Sequence, residues 1–128
     1  MPKVLISDSL SSRAADIFRE RGLEVDMKTD MSADELISCI GAYDGLAVRS
    51  ATKVTPEVLE AATNLKVVGR AGIGVDNINI EAASGRGIVV MNTPFGNAIT
   101  TAEHAIAMMF SLARQIPLAD RLTQNGKW

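Results

Sequence analysis

The stretch Gly87-Ile88-Val89-Val90-Met91 is apolar at every position after its glycine, and Val67-Val68 lies in a second run of the same kind. Neither run shows the polar alternation of a strand that has one face in water. Continuous apolar runs of this length are typical of central parallel strands that are covered by helices on both faces. They predict an α/β protein built on a parallel sheet.

Three further short runs rich in β-branched and apolar residues precede these two. The five predicted strands are residues 3–7, 23–28, 45–49, 65–69 and 87–91. Helical stretches separate them, and capping signals mark two helix starts: Ser32 with Glu35 forms a predicted capping box, and Thr55 is a predicted cap before Pro56. The alternation predicts a flavodoxin-like, doubly wound sheet of five parallel strands within residues 1–98.

Residues 99–128 have a different pattern. Thr100 and Glu103 predict a capping box, and the long helix that follows is apolar almost all round, so we expect it to be buried. Pro117 is expected to break this helix, and a short helix over 118–125 is expected to end at Gly126. The sequence therefore predicts an α/β domain over 1–98 and a helical segment over 99–128.

The composition argues against several classes of function. Thirteen basic and fifteen acidic residues give a net charge of -2 without a block of like charge, so no nucleic-acid partner is expected. The longest apolar run, 105–110, is far shorter than a membrane span, and the first residues turn polar too early for a signal peptide. The single cysteine fits a reducing cytoplasm, and no cluster of Cys and His predicts a metal site.

Residues that follow the predicted strands are the candidates for a site, because open parallel sheets bind ligands beyond the carboxyl ends of their strands. Arg49 and Ser50 follow the third strand, Arg70 opens a glycine-containing loop after the fourth, and Asn97 ends the loop after the fifth. Guanidinium groups bind phosphate and carboxylate through paired donors, and glycines let backbone amides approach an anion. The pattern indicates a small anionic ligand. In the alternative interpretation, each arginine pairs with a nearby carboxylate and each glycine only shapes a turn.

Other motifs point to structural roles. Gly69, Gly72 and Gly74 have the wrong order of spacings for the dinucleotide fingerprint G-x-G-x-x-G. His104, the single histidine, falls within a predicted helix and is interpreted as structural, and residues 76–77 are predicted to cap the helix that runs to residue 84.

Three loop segments resemble the D-isomer-specific 2-hydroxyacid dehydrogenases, in particular the branch that acts on 3-phosphoglycerate. They are residues 48–55 (VRSATKVT), 68–77 (VGRAGIGVDN) and 91–97 (MNTPFGN), and the tail residues 112–117 and 126–128 resemble the same branch. The resemblance implies an NAD-dependent oxidoreductase, homo-oligomeric at full length, that interconverts 3-phosphoglycerate and 3-phosphohydroxypyruvate in serine synthesis. Arg49, Ser50 and Arg70 would then contact the charged groups of the substrate, chiefly its phosphate.

The same resemblance implies roles for three further residues. The backbone amides of Ile73 and Gly74 would hold the substrate carboxylate, Ile73 would also approach NAD, and Asn97 would lie in the substrate cleft. The family's dinucleotide-binding domain would follow residue 128 and bind most of the NAD. No catalytic residue is therefore expected in this chain, residues 99–128 would bridge to that domain, and the chain alone would be inactive.

Two alternatives remain open on the sequence alone. A free-standing module of flavodoxin or receiver type would share the sheet, although residues 7–12 lack the glycines of a flavin phosphate loop and place Asp8 where a phosphate would lie. A receiver would also need an aspartate at the position of Arg49. The second alternative is the same family acting on another 2-hydroxy acid, such as glyoxylate or hydroxypyruvate, whereas Arg49 and Arg70 together favour a phosphorylated substrate.

Overall fold

The structure is a computed structural model that describes residues 1–127, in two units: residues 1–96 and a second unit that begins at Asn97. The first unit contains β1 (Lys3–Ile6), α1 (Ser12–Glu20), β2 (Glu24–Met27), α2 (Ala33–Ile40), β3 (Gly45–Val48), α3 (Pro56–Ala61), β4 (Val67–Arg70), α4 (Ile80–Gly85) and β5 (Val89–Asn92). The second unit contains α5 (Ala98–Ala113) and α6 (Ile116–Gln124). All five predicted strands are confirmed, with ends that differ by no more than two residues. Trp128, the last residue of the tail segment quoted above, lies outside the described residues.

The five strands form one parallel sheet in the order β2-β1-β3-β4-β5. This is the flavodoxin-like order, so the predicted fold class is confirmed. The direction in which the strands are added reverses between β1 and β3. Such a reversal opens a crevice beyond the carboxyl ends of the strands, which is where ligands of these sheets bind.

The two faces of the sheet are covered unequally. Leu5, Leu46 and Val68 point to one face and pack with α2, α3 and α4 into a large buried core. On the opposite face, Ile6 and Ala47 pack against α1 in a smaller cluster. Burial of such side chains contributes about 1.5–3 kcal/mol each, so most of the packing energy comes from the larger core.

The sheet ends at β5, which pairs with β4 at the edge. Val89 and Met91 of β5 are 57% and 59% exposed, because α1 packs over β1 and β3 and leaves this side of β5 uncovered in the first unit. The prediction that residues 87–91 form a central strand covered on both faces was wrong. Their apolar composition identified a strand correctly but did not reveal its position in the sheet.

Helix caps confirm two predictions. The Ser32 side chain accepts a hydrogen bond from the Glu35 amide, and the Glu35 carboxylate accepts one from the Ser32 amide at 2.8 Å, which completes the capping box of α2. Thr55 caps α3, and Pro56 is the first residue of that helix. Both caps satisfy amides that the first helical turn leaves without partners.

Two predicted caps were wrong. α5 begins at Ala98, so Thr100 and Glu103 already lie inside its first turns and form no capping box. The helix starts early because a turn closed by the Gly96 amide and the Thr93 carbonyl ends just before it. α4 is capped by Asn79, whose side chain accepts a hydrogen bond from the Ala82 amide at 2.8 Å, and not by residues 76–77.

In the second unit, the apolar surface of α5 is largely exposed. Ile99, Met109, Phe110 and Leu112 are each more than 60% exposed, because α6 is too short to cover an apolar helix from all sides. Pro117 lies in the first turn of α6 and does not break α5, which ends at Ala113. Within residues 1–127, no helix is both long and apolar enough to cross a membrane.

Candidate functional site

The carboxyl ends of β3 and β4 lie side by side, since Val48 and Arg70 are partners in the parallel register. The loops that follow these two strands therefore start at neighbouring points on one edge of the sheet. This arrangement brings the predicted residues Arg49 and Ser50, from the first loop, to the same edge as Arg70 and residues 73–74.

A buried carboxylate organises the loop after β3. Asp8 follows β1, is 5% exposed, and accepts hydrogen bonds from the Thr52 hydroxyl at 2.6 Å, the Thr52 amide at 3.0 Å and the Arg49 amide. Burial raises the pKa of the Asp8 carboxyl, but the hydrogen bonds from Thr52 and the Arg49 amide lower it by more, so the pKa lies below its usual value. The buried carboxylate of Asp8 thus holds the amides of Arg49 and Thr52 in the loop after β3.

The side chain of Asn77 connects the two arginine-bearing segments. Its Nδ2 donates to the backbone carbonyls of Arg49 and Thr52, both at 2.7 Å, and its Oδ1 accepts from Nε of Arg70 at 2.9 Å. One carboxamide therefore ties the loop after β3 to the guanidinium group at the end of β4. This non-local role explains why Asn77 does not serve as the predicted helix cap.

The two arginines have different surroundings. The half-buried guanidinium of Arg70 lies across Gly72, where an added Cβ would overlap Nη1. Arg49 is exposed, and its Nη1 donates to the carbonyl of Ser9 at 3.2 Å. Among residues 1–127 neither arginine forms an ion pair. The alternative interpretation, in which each arginine is neutralised by a neighbouring carboxylate, is not what the structure shows.

The loop after β4 presents backbone amides to the same edge. Two carbonyls of this loop accept hydrogen bonds from β5 and from the residue after it. Nδ2 of Asn92 donates to the Ile73 carbonyl at 2.7 Å, and the Thr93 amide donates to the Gly72 carbonyl at 2.9 Å. The amides of Ile73 and Gly74 donate no hydrogen bond to any group within residues 1–127. These amides are available to an anion, and the Ile73 side chain is 42% exposed beside them.

A cavity of about 560 Å³ opens between the two loops; Ser50, Lys53, Asp76 and Asn77 are among its lining residues, and Arg49 and Arg70 are not. It is large enough for a small polar molecule, and both its walls carry hydrogen-bonding groups. In the described part of the chain no three His, Cys, Asp or Glu side chains come together as metal ligands.

Asn97 belongs to the second unit, where it is the N-cap residue of α5 and its carbonyl accepts from the Thr101 amide at 2.9 Å. Its place in a substrate cleft stays a prediction. The organising roles of Asp8, Asn77 and Asn92 were not predicted from the sequence. A usable signal was present, since each of these polar residues ends a strand or lies in the segment that follows one.

Comparison with known proteins identifies the family. The sequence model of the catalytic domain of D-isomer specific 2-hydroxyacid dehydrogenases matches residues 4–125. The chain belongs to this family. The resemblance predicted from the three loop segments is thereby confirmed.

The curated relatives are longer than this chain. The D-3-phosphoglycerate dehydrogenase of Archaeoglobus fulgidus is 57% identical over 126 residues, which are 98% of this chain and 24% of that protein. The enzyme of the same name from Synechocystis is 49% identical over 128 residues, 100% of this chain and 23% of that protein. The chain therefore spans about a quarter of the length of these curated relatives.

Solved structures share the fold. A protein of Pyrococcus horikoshii is 34% identical, with a TM-score of 0.87 over 100% of this chain and 38% of that one. The 3-phosphoglycerate dehydrogenase of Entamoeba histolytica, solved with NAD⁺ bound, is 35% identical, with a TM-score of 0.76 over 86% of this chain and 38% of that one. The parallel sheet described above is therefore the fold seen in relatives of this family.

Proposed function

We propose that this chain is the substrate-binding part of an NAD-dependent D-3-phosphoglycerate dehydrogenase. Arg49, Ser50 and Arg70 would bind the charged groups of 3-phosphoglycerate and 3-phosphohydroxypyruvate, chiefly the phosphate. The observation that carries this proposal is the pair of arginines at neighbouring strand ends, neither of which is ion-paired within residues 1–127. Guanidinium groups without a carboxylate partner are suited to a phosphate, which accepts several of their hydrogen bonds.

The other end of the substrate carries a carboxylate, and the loop after β4 offers donors for it. The amides of Ile73 and Gly74 are the proposed contacts, supported by their lack of hydrogen-bond acceptors within the described residues. Fixed backbone donors select an anion without the entropy loss that a flexible side chain incurs. Asn97 is proposed as a further contact in the substrate cleft.

NAD would accept the hydride when the hydroxy acid is oxidised. Ile73 is the only residue of this chain that we propose as a contact to NAD. Its exposed side chain lies beside the amides that would hold the substrate carboxylate. The sequence contains no dinucleotide fingerprint, so most of the cofactor contacts and the groups that exchange the substrate proton are proposed to lie outside these 128 residues. The chain by itself is then expected to be inactive, and homo-oligomerisation of the longer protein stays a prediction.

The test compares steady-state kinetics of the natural-length protein with those of its Arg49→Ala and Arg70→Ala variants. Each substitution should raise KM for 3-phosphohydroxypyruvate about tenfold or more and change kcat much less, because the lost interaction binds substrate and transition state alike. Arg86→Ala serves as the control, since Arg86 is exposed at the end of α4. KM for unphosphorylated hydroxypyruvate should rise less than KM for the phosphorylated substrate.

Two results would contradict the proposal. If the natural-length protein reduced glyoxylate or hydroxypyruvate readily but not 3-phosphohydroxypyruvate, the family would stand and the substrate would be another 2-keto acid. If the arginine variants lost kcat at unchanged KM, the arginines would act on the reacting atoms and their proposed binding role would be wrong.

A further inference from the structure

We infer that Asn77 is a positioning residue that holds Arg70 and the Arg49 loop in one arrangement for the anionic end of the substrate. This inference rests on the proposed binding role of the two arginines. It concerns a residue whose sequence context predicts only a helix cap, and it follows from the three hydrogen bonds of one carboxamide.

The orientation of this carboxamide is determined by its partners. Nδ2 faces the carbonyls of Arg49 and Thr52, which can only accept, and Oδ1 faces Nε of Arg70, which can only donate. A flipped amide would lose all three bonds. An aspartate would keep an acceptor for Arg70, but it would bring a negative charge to two carbonyl oxygens and pair with the guanidinium.

The backbone of Asn77 is anchored independently of its side chain. Its carbonyl accepts from the Val54 amide at 2.8 Å, and Val54 also forms a parallel bridge with Ile78. Val54 and Ile78 are both buried. Because the core holds this backbone in place, the side chain approaches Arg70 from a rigid base, which is what a preorganised site requires.

The contact through Nε has a consequence for ligand binding. A guanidinium binds an oxyanion in bidentate fashion through two of its N–H groups, and Asn77 occupies only the one on Nε. Neither terminal nitrogen of Arg70 donates a hydrogen bond within residues 1–127. Asn77 thus sets the orientation of the Arg70 guanidinium, and it also sets the position of the Arg49 backbone in the neighbouring loop.

The experiment measures KM and kcat of the natural-length protein carrying Asn77→Ala or Asn77→Asp. Both variants should raise KM for 3-phosphohydroxypyruvate by about tenfold, with kcat changed less than about threefold, because substrate affinity depends on the preorganised arginines. Asn64→Ala is the matched control, since Asn64 also donates to a backbone carbonyl, that of Gly41 at 2.7 Å, but far from this edge. It should leave KM unchanged.

A double-mutant cycle separates this inference from the proposed function. Because part of the effect of Asn77 acts through Arg70, Asn77→Ala should raise KM by a smaller factor in an Arg70→Ala variant than in the unsubstituted protein, and the rise that remains comes from the Arg49 loop. Full additivity, or an unchanged KM in both Asn77 variants while Arg70→Ala raises it, would overturn the inference and leave the proposed function intact. An unchanged KM in Arg70→Ala would instead refute the proposed function. Asn77→Asp is nearly isosteric and decides the question if Asn77→Ala does not fold.

Discussion

The carboxylate of Asp8 accepts hydrogen bonds from both the hydroxyl and the amide of Thr52, at 2.6 and 3.0 Å. Asp8 follows β1 and Thr52 lies beyond β3, so this contact spans the crevice at which the strand order reverses. A buried carboxylate is costly unless hydrogen bonds replace its water, and here the backbone and the hydroxyl of one loop do so. The loop that carries Arg49 is therefore held in place by the buried carboxylate of Asp8.

Replacement of Asp8 by alanine should destabilise the chain by about 2–3 kcal/mol, because the amides of Arg49 and Thr52 lose a charged acceptor. Urea unfolding of the chain followed by circular dichroism measures this loss. Asp16→Ala is the control, since Asp16 is exposed on α1 and its ion pair with Arg19 contributes little. Equal unfolding midpoints for the two variants would show that the Asp8 network does not stabilise the fold.

Asp8 should also make stability depend on acid pH. Its pKa in the folded chain lies below the ordinary carboxyl value of 3.8, so the unfolded chain binds more protons between the two values. The stabilisation is then complete above the ordinary value and is lost as the pH falls through the lower folded pKa. Unfolding free energies measured from about pH 6 downward should fall less steeply for Asp8→Asn than for the unsubstituted chain. Identical slopes would mean that another group causes the acid sensitivity.

Gly72→Ala should weaken substrate binding without unfolding the protein. The added Cβ would overlap Nη1 of Arg70, and the flexible end of that side chain can move aside more readily than the backbone. We expect KM for 3-phosphohydroxypyruvate to rise about tenfold in the natural-length protein, with its thermal unfolding temperature nearly unchanged. Gly69→Ala, with open space around the new Cβ, is the control and should leave KM as it is. Similar KM values for the two variants would contradict the described position of Arg70.

Two glycines at the end of α4 should respond oppositely to alanine. Gly87 has φ of +70°, a left-handed conformation, so Gly87→Ala should cost about 1 kcal/mol. Gly85 is the last helical residue, and an added Cβ there would meet no other atom within 4 Å, so Gly85→Ala should be neutral or stabilise by up to about 1 kcal/mol. Urea unfolding of both variants provides the comparison, and destabilisation of the same size in both would contradict the described helix end.

The sequence predicted best those structural features that depend on residues close together in the chain, such as strands and helix caps. Strand 65–69 could be predicted because it contains Leu65 and the β-branched pair Val67-Val68, and the position of Arg70 at the end of that strand followed directly. The caps at Ser32 and Thr55 were also predictable, since each uses an amide within the next three residues. The predicted cap at Thr100 failed because the turn at residues 93–96 lets α5 start earlier, at Ala98.

By itself, the sequence determined the parallel α/β architecture and brought Arg49 and Arg70 to one edge, because parallel strands all end on the same side of their sheet. Only the tertiary structure decided that β5 lies at the edge, that Asp8 serves as an internal anion, and that Asn77 joins the two arginine-bearing segments. The partners of Asp8 lie more than 40 residues away, and Asn77 reaches carbonyls 25 and 28 residues away. A short polar side chain can cap a nearby helix or bond a distant loop equally well, and the choice depends on which groups the folded chain places within about 3 Å of it.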